Sequence, residues 1–490
     1  MLGFIVFCGL LLSIECGDPN FVFILTDDQD LLLNGLLPMR STRKLVADEG
    51  ITFTNAFVNT PICCPSRSTI LTGKYIHNLQ VFNNSLSGNC ASNFWQKKHE
   101  KHSVANLLKT NKNYTTFYAG KYLNQYGNDR SGGLNHVPVG YDWWIGLKGN
   151  SVYYNYSLSI NGTKKSFRDE YLTDVLSDYS IEFLNQRKDP FFMMIAPPAC
   201  HSPFQPAPRH IGAFKGTKAL KTPNFNYSSH DKHWIVEMNP NYLPTNITSL
   251  DRIQQLRMET LLSVDEMVER LIKKLIDLKI LNETYIIFTS DNGFHIGQFT
   301  QPWDKRQPYE TDVKVPFFIK GPKIRSKSLE NRPISTIDVL PTILDLASIE
   351  IPGDIDGVSF KQYLFNPGDS KKPFFDDKNM NDYVFLEYFG EGGESVDENC
   401  FISSPRDVAE CSLENWCKCQ DSKNNTFTCV KIFGKYEDFK YCQFKDDLGF
   451  IEAYDLMLDP YELKNVYTQL KTDQINYYNH LLNRFKNKIN

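Results

Sequence analysis

The chain should fold as an α/β protein with a largely parallel central sheet flanked by helices, followed by a smaller C-terminal α+β domain. Three observations predict this. Short β-branched and aromatic runs alternate with helical stretches, polar clusters follow those runs directly, and the texture of the chain changes near Asn379. At 490 residues, 41% of them hydrophobic and 22% charged, the chain exceeds one typical domain, so one large and one smaller unit is the natural division.

Taken in order, residues 1–17 (MLGFIVFCGLLLSIECG) form an apolar run ending in small residues and too short to cross a bilayer comfortably. They read as a signal peptide, although the run carries no Lys or Arg; a buried N-terminal strand or helix is the rival reading. PNFVFILTDD predicts a buried strand over Phe21 to Leu25, and TTFYAGKY, PFFMMIAP, TYIIFTSDNG and VPFFIKGP repeat the theme. Met258 to Leu278 has apolar residues at helical spacing, and STIDVLPTILDLAS predicts a second helix, interrupted by its proline. Strands alternating with helices argue for a parallel sheet, whose ligands sit beyond the carboxyl ends of the strands. TDDQD, GKY, APPACHSP and SDNG each follow a strand, so they can converge on one site. Residues 18–378 are assigned to this catalytic domain. Residues 379–490, with the strand NDYVFLEYF, a Gly/Glu-rich turn and a cysteine cluster, are assigned to the smaller one.

A net charge of −4 excludes the basic stripe of a nucleic-acid binder, and a protein that takes polyanions would have to build its positive site locally. Beyond the N-terminus no stretch is apolar for long enough to anchor the chain in a membrane. Sequons at Asn83, Asn113, Asn155, Asn161, Asn226, Asn246, Asn282 and Asn424 suggest a glycosylated surface and the secretory route, lysosomal or secreted. Cys400, Cys411, Cys417, Cys419, Cys429 and Cys442 crowd into one region. Zinc is the rival reading, but the C-x-C spacing is tight and no His lies in the cluster, which favours disulfides.

The sharpest local signal is ICCPSRSTILTGKY, Ile62 to Tyr75. Pro65 and Ser66 suit a first helical turn, which puts Cys63 at a helix N-terminus where the macrodipole favours an anion. Arg67 can fork two donors onto such an anion. Asp27 and Asp28 leave one strand and Asp291 and Asn292 another, giving hard oxygens suited to Ca²⁺. Taken alone, each pair is an ordinary turn or cap.

C-x-P-S-R followed by L-T-G, here Cys63, Pro65, Ser66, Arg67, Leu71, Thr72 and Gly73, resembles the signature of the formylglycine sulfatases. In that family the cysteine is oxidised to formylglycine, so the resemblance implies a formylglycine-generating enzyme as a maturation partner. It implies an alkaline-phosphatase-like domain and Ca²⁺ held by Asp27, Asp28, Asp291, Asn292 and the modified Cys63. Lys121 in AGKY, His201 in CHSPF and Lys305 in DKRQPYE match the family's sulfate-pocket residues, and Lys74 and His77 are weaker candidates. Implied roles are charge balance on the sulfonyl oxygens by Arg67, Lys121 and Lys305, and protonation of the leaving sugar oxygen by His201 or Lys305.

One position departs from the pattern. Many members carry a histidine two residues after the strand-end lysine, and here that residue is Leu123. Longer strings, among them CCPSRSTILTGKYIHN, AGKYLNQYG, PFFMMIAPPACHSPF and TSDNGFHIGQF, look most like the glucosamine-6-sulfatases and more distantly the heparan endosulfatases. The endosulfatases' long basic insertion is absent. The implied substrate is the 6-O-sulfate of N-acetylglucosamine in heparan or keratan sulfate. Rival readings are an inactive sulfatase-fold glycosaminoglycan-binding protein, and a phosphatase or phosphodiesterase on the same scaffold. The latter would use Ser or Thr as nucleophile and usually bind two zinc ions through extra histidines, whereas this chain has only ten histidines and carries Cys63 in a full sulfatase signature.

Overall fold

A computed structural model describes residues 17–487 apart from 239–240, 244–245, 366–382, 393–407, 409–419 and 435–436. The centre of the molecule is a ten-stranded sheet. Four parallel strands form its middle: β1 (Asn20–Thr26), β2 (Thr115–Lys121), β3 (Phe191–Ala196) and β4 (Thr284–Ser290), lying side by side in the order β4-β1-β3-β2. Every residue of β1, β3 and β4 is buried, as a strand covered on both faces requires. Because the four are parallel and adjacent, the clusters that follow them emerge along one edge, so the expected convergence is realised.

Beyond β2, Trp143–Leu147 adds one more parallel strand, and the hairpin Tyr156–Ile160 and Thr163–Phe167 closes that edge. Its outer strand exposes Thr163 to Ser166, and a short lysine-bearing strand of this kind resists edge-to-edge association. Beyond β4 the sheet turns antiparallel. Phe317–Lys320 runs against β4 and Ile51–Phe53 against it in turn, with Ser328–Glu330 outermost.

Side chains alternate across β1 as a pleat demands. Phe21, Phe23 and Leu25 enter one core, with Ile70 and Leu71 of α1 (Cys63–Thr72) and with Leu340 and Ile343. Val22 and Ile24 enter the other, with Leu172 and Leu176 of α2 (Leu172–Gln186) and Leu261, Val264, Val268 and Leu271 of α3 (Ile247–Asp277). The α3 helix has 31 residues and begins well before the expected Met258, because Asn246 caps it by accepting from the Thr248 N–H. The expected interruption at Pro341 does not occur. Pro341 is the third residue of the helix Val339–Leu346, in the first turn, where a missing N–H costs little.

Four antiparallel strands, Tyr383–Tyr388, Phe427–Gly434, Glu437–Phe444 and Ile451–Asp455, make the small C-terminal sheet. Phe385, Ile432 and Phe439 pack under Tyr478, Leu482 and Phe485 of the helix Thr472–Lys486. Val384, Leu386 and Tyr388 face the other way, into the main core. Cys429 and Cys442 are opposite one another on neighbouring strands and form a disulfide. Cys400, Cys411, Cys417 and Cys419, the segment up to Cys16 and the 378/379 boundary lie outside the described residues.

Of the sequon asparagines, Asn113, Asn155, Asn161, Asn226, Asn246 and Asn282 are exposed, while Asn83 and Asn424 are half-buried. Among the described residues no helix is long and apolar enough to cross a membrane.

Buried charges join the small sheet to the large one. Lys431 and Lys440 sandwich Glu310 at 2.9 Å each, and Lys440 also bonds Glu462 and the Pro308 carbonyl. Their pairing holds Glu310 well below the usual carboxylate range, against a burial that would raise it. The segment carrying Lys305 is thereby tied to the C-terminal strands.

Candidate active site

Cys63 is the first residue of α1, following Ile62 in extended conformation, and Gly73 ends the helix with a left-handed φ of 68°. Ile62 offers no side-chain cap, and the cap comes from elsewhere: the Cys64 N–H donates to Asn84 Oδ1 at 2.9 Å. A Cys64–Cys90 disulfide pins the loop that carries Asn84. Sequence reading foresaw neither, because both partners are separated along the chain and follow no spacing rule. The disulfide closes a span of 26 residues and should contribute about 3 kcal/mol. A Cys64→Ala/Cys90→Ala double variant is therefore expected to lose that much unfolding free energy, read as a lower denaturant midpoint. An unchanged midpoint would show that the loop is held without it.

The Cys63 thiol is fully buried and faces both aspartates that leave β1, at 3.8 Å from Asp27 Oδ1 and 4.0 Å from Asp28 Oδ1. Lys121, ending β2, donates to the other Asp27 oxygen at 2.7 Å, and Lys305 to the other Asp28 oxygen at 2.8 Å. Arg67, one turn along α1, donates from Nε to Asp291 Oδ2 at 2.7 Å and from Nη1 to the Lys121 carbonyl at 2.7 Å. Its Nη2 is buried with no hydrogen-bond acceptor, 3.8 Å from Asp27 Oδ1. The other Asp291 oxygen accepts the Asp28 N–H at 3.1 Å, and Ser66 donates to the Asp291 carbonyl. Asn292 donates to Asp28 Oδ1 at 2.7 Å, which leaves its own Oδ1 buried and without a donor. His201 Nδ1 lies 2.5 Å from the Ser202 carbonyl, and Nε2 faces Asp28 Oδ2 at 3.9 Å. The structure thus brings together Asp27, Asp28, Cys63, Arg67, Lys121, His201, Asp291, Asn292 and Lys305.

Three buried carboxylates here meet three buried cations, and burial alone would neutralise them all. Burial would raise Asp27 and Asp28, yet Lys121, Lys305 and His201, joined by Arg67 at Asp27, outweigh it and hold both below the usual range. Asp291 goes the other way. Burial lifts it to about 6, with Asp27 and Asp28 adding to the effect, despite Arg67. Burial also pushes the Cys63 thiol up to about 12, so it is a neutral thiol and a poor nucleophile as it stands. Burial lowers His201 more than Asp27 and Asp28 raise it.

Ser151 was missed. It donates to Asp27 Oδ2 from a loop whose sequence carries no motif, and only the fold reveals it. Two weaker candidates are corrected. Lys74 and His77 follow the far end of α1, about 15 Å along its axis from Cys63. Lys74 pairs with Asp354 there. His77 Nδ1 is held by Glu387 at 2.9 Å, with its ring stacked on Tyr75 and edge-on to Phe485. Leu123 is fully buried in the core and supplies no base.

Chemically, the arrangement combines an anion pocket with a cation site. The ligand atoms of Asp27, Asp28, Cys63 and His201 all lie within 4.8 Å of one another, a grouping able to hold a metal ion. Calcium fits the oxygens of the wider donor set, those of Asp27, Asp28 and Asp291 and the unsatisfied Asn292 Oδ1. The neutral sulfur of Cys63 and the imidazole of His201 are the donors that do not suit it.

Known proteins resemble this chain over most of its length. The family profile described as Sulfatase matches residues 19–349, and one described as N-sulphoglucosamine sulphohydrolase, C-terminal, matches residues 298–402. N-acetylglucosamine-6-sulfatase of Capra hircus is 43% identical over 456 residues, covering 91% of this chain and 80% of the relative. The Homo sapiens protein of the same name is 43% identical over 91% of this chain and 81% of its own length. A solved structure described as a complex with its substrate D-glucosamine-2-N,6-O-disulfate superposes with a TM-score of 0.71 at 22% identity, covering 96% of this chain and 98% of that one, a likeness of fold. With the family profile spanning the whole sheet from β1 through the helix at Pro341, and Cys63 standing at the head of the signature helix, the chain belongs to the sulfatase family.

Proposed function

We propose that the protein hydrolyses the 6-O-sulfate ester of N-acetylglucosamine in heparan or keratan sulfate. The observation that carries this is Cys63 itself, buried at a helix start against paired carboxylates, with its thiol held neutral at about 12. Such a thiol has little use as a nucleophile or as a ligand for a hard cation, whereas an oxidised, oxygen-bearing form of the same side chain suits both roles. Formylglycine at residue 63, installed by a formylglycine-generating enzyme in the secretory pathway, would supply hydroxyl groups to take up the sulfuryl group and then release it. Calcium, held by Asp27, Asp28, Asp291, Asn292 and the modified Cys63, would supply Lewis-acid polarisation and a fixed charge beside the sulfate.

The remaining work falls to the chain's own residues. Arg67 has a free Nη2 and is fixed by Asp291 and the Lys121 carbonyl, so it can donate to a sulfonyl oxygen without reorganising. Lys121 and Lys305 sit on the outer oxygens of Asp27 and Asp28, within reach of the same anion. His201, with Nδ1 at the Ser202 carbonyl, presents Nε2 to the pocket and, when doubly protonated, is placed to protonate the departing sugar oxygen; Lys305 is the other donor in range. Ser151 steadies Asp27. The glucosamine-6-sulfate specificity is supported by the names of the 43%-identical relatives, and a lysosomal or secreted destination by the exposed sequons.

The test is a panel of 6-O-, 2-O-, 4-O- and N-sulfated mono- and oligosaccharides, with mass spectrometry of the Cys63 peptide. The expected result is formylglycine at residue 63 and turnover of 6-O-sulfated N-acetylglucosamine at least tenfold above the others. Turnover of another position would overturn the specificity. Unmodified Cys63 together with glycosaminoglycan binding but no turnover would favour an inactive binder.

A further inference from the structure

We infer that Arg257, on α3, is a positioning residue for cation binding: it fixes the loop that carries Asp28 and ties it to the loop that carries His201. The inference rests on the reading of Asp28 as a calcium ligand. Arg257 is fully buried, and its guanidinium lies over the Phe294 ring, 3.8 Å from the centroid. From Nη2 it donates to the Asp28 carbonyl at 2.7 Å, to Asp30 Oδ1 at 2.8 Å and toward Cys200 Sγ at 3.4 Å. Nη1 donates to Gln254 Oε1, one turn earlier on α3, at 3.2 Å.

The loop needs such a support. Asp28 has a left-handed φ of 61°, a conformation that side-chain-bearing residues rarely adopt without outside restraint. Its carbonyl is aimed at α3, where Arg257 receives it and the Cys200 thiol adds a weaker donor at 3.4 Å. Asp30 completes the clamp. One oxygen takes Arg257 while the other accepts the N–H groups of Leu33 and Gly35, closing the loop on itself. The same cation reaches the opposite strand end, because Cys200 donates its N–H to the Asp27 carbonyl at 2.6 Å and His201 follows directly. One guanidinium therefore sets the backbone of Asp28 and braces the turn that presents His201.

Charge and position predict opposite signs. A positive group beside a calcium site repels the ion, so if Arg257 acted through its charge alone, removing it would tighten calcium binding. If it positions Asp28, removing it weakens binding.

The test titrates the calcium-depleted full chain with Ca²⁺ alone by calorimetry, for the unaltered protein, Arg257→Gln, Arg257→Lys and Asp28→Asn, with melting temperatures taken without calcium. Arg257→Gln is expected to weaken calcium binding at least tenfold, and Arg257→Lys to recover part of the loss. Equal or tighter binding by Arg257→Gln overturns the inference. A lowered calcium-free melting temperature with unchanged affinity does the same, since it marks a purely structural strut. If Arg257→Gln does not fold, Arg257→Lys decides, because it keeps the buried charge: an affinity within twofold of the unaltered protein overturns the inference. Asp28→Asn separates the two readings. Calcium binding unaffected by that change, or absent from the unaltered protein, sinks the ligand assignment and the inference with it.

Discussion

Cys63→Ser is expected to fold normally and to lose steady-state turnover by about 10³-fold or more. Serine has nearly the shape of the buried thiol and enters a site lined by Asp27, Asp28 and Lys121, where a hydroxyl finds partners readily. The melting temperature should therefore stay within about 2 °C, equivalent to about 2 kcal/mol for a chain this long. Turnover fails for a chemical reason. Serine carries one hydroxyl on a saturated carbon, so it can take up a sulfuryl group but cannot expel sulfate by re-forming a carbonyl. At most one sugar product per protein molecule should appear, with the sulfate retained on the introduced serine. Sustained multiple turnover would remove formylglycine from the account.

The parts of this site that could be read from the sequence share one property: each depends on a short span. Thr26 to Asp28, Gly120 to Lys121 and Ser290 to Asn292 are polar residues straight off apolar runs, and once the strands are parallel and adjacent their meeting is forced. Cys63 to Gly73 carries its own helix start and its own glycine stop. What escaped depends on partners far along the chain. Asn84 caps α1 from twenty residues beyond Cys64, Ser151 reaches Asp27 across 124 residues, and Arg257 braces Asp28 across 229. A lone Asn, Ser or Arg in a polar or helical context gives no sign of such a task.

The direction of Phe317–Lys320 was equally hidden, because a four-residue apolar strand reads the same whichever way it runs. His77 misled for the opposite reason. It is near Cys63 in sequence, but a ten-residue helix carries it away to Glu387.

Asp291→Asn is expected to abolish measurable calcium binding and, with it, activity by at least about 100-fold, while the calcium-free protein loses little stability. The stability half follows from where the carboxylate sits. Burial raises Asp291 to about 6, above the ordinary carboxylate value, so ionising it disfavours the calcium-free fold. For such a group the folded state binds the extra proton between those two values, and stability grows as pH falls through that window. Asparagine imposes the neutral form permanently and keeps one oxygen, which can accept from the Asp28 N–H or from Arg67 Nε but not from both. Arg67 loses one charged partner but retains the Lys121 carbonyl and Asp27 nearby, whereas Asp291→Ala would strip out the Nε acceptor altogether and is expected to cost several kcal/mol more. The binding half follows from charge and donor type: a cation drawn to three carboxylates loses one of them, from the β4 side where Asn292 offers only an amide. The readout is the rise in melting temperature on adding calcium. A ligand at about 100 times its Kd stabilises the state that binds it by about 2.7 kcal/mol, so the unaltered protein should shift and the variant should not. Full calcium occupancy in the purified variant, found by metal analysis, would show that Asp291 holds Arg67 and the Asp28 backbone in place without itself binding the metal.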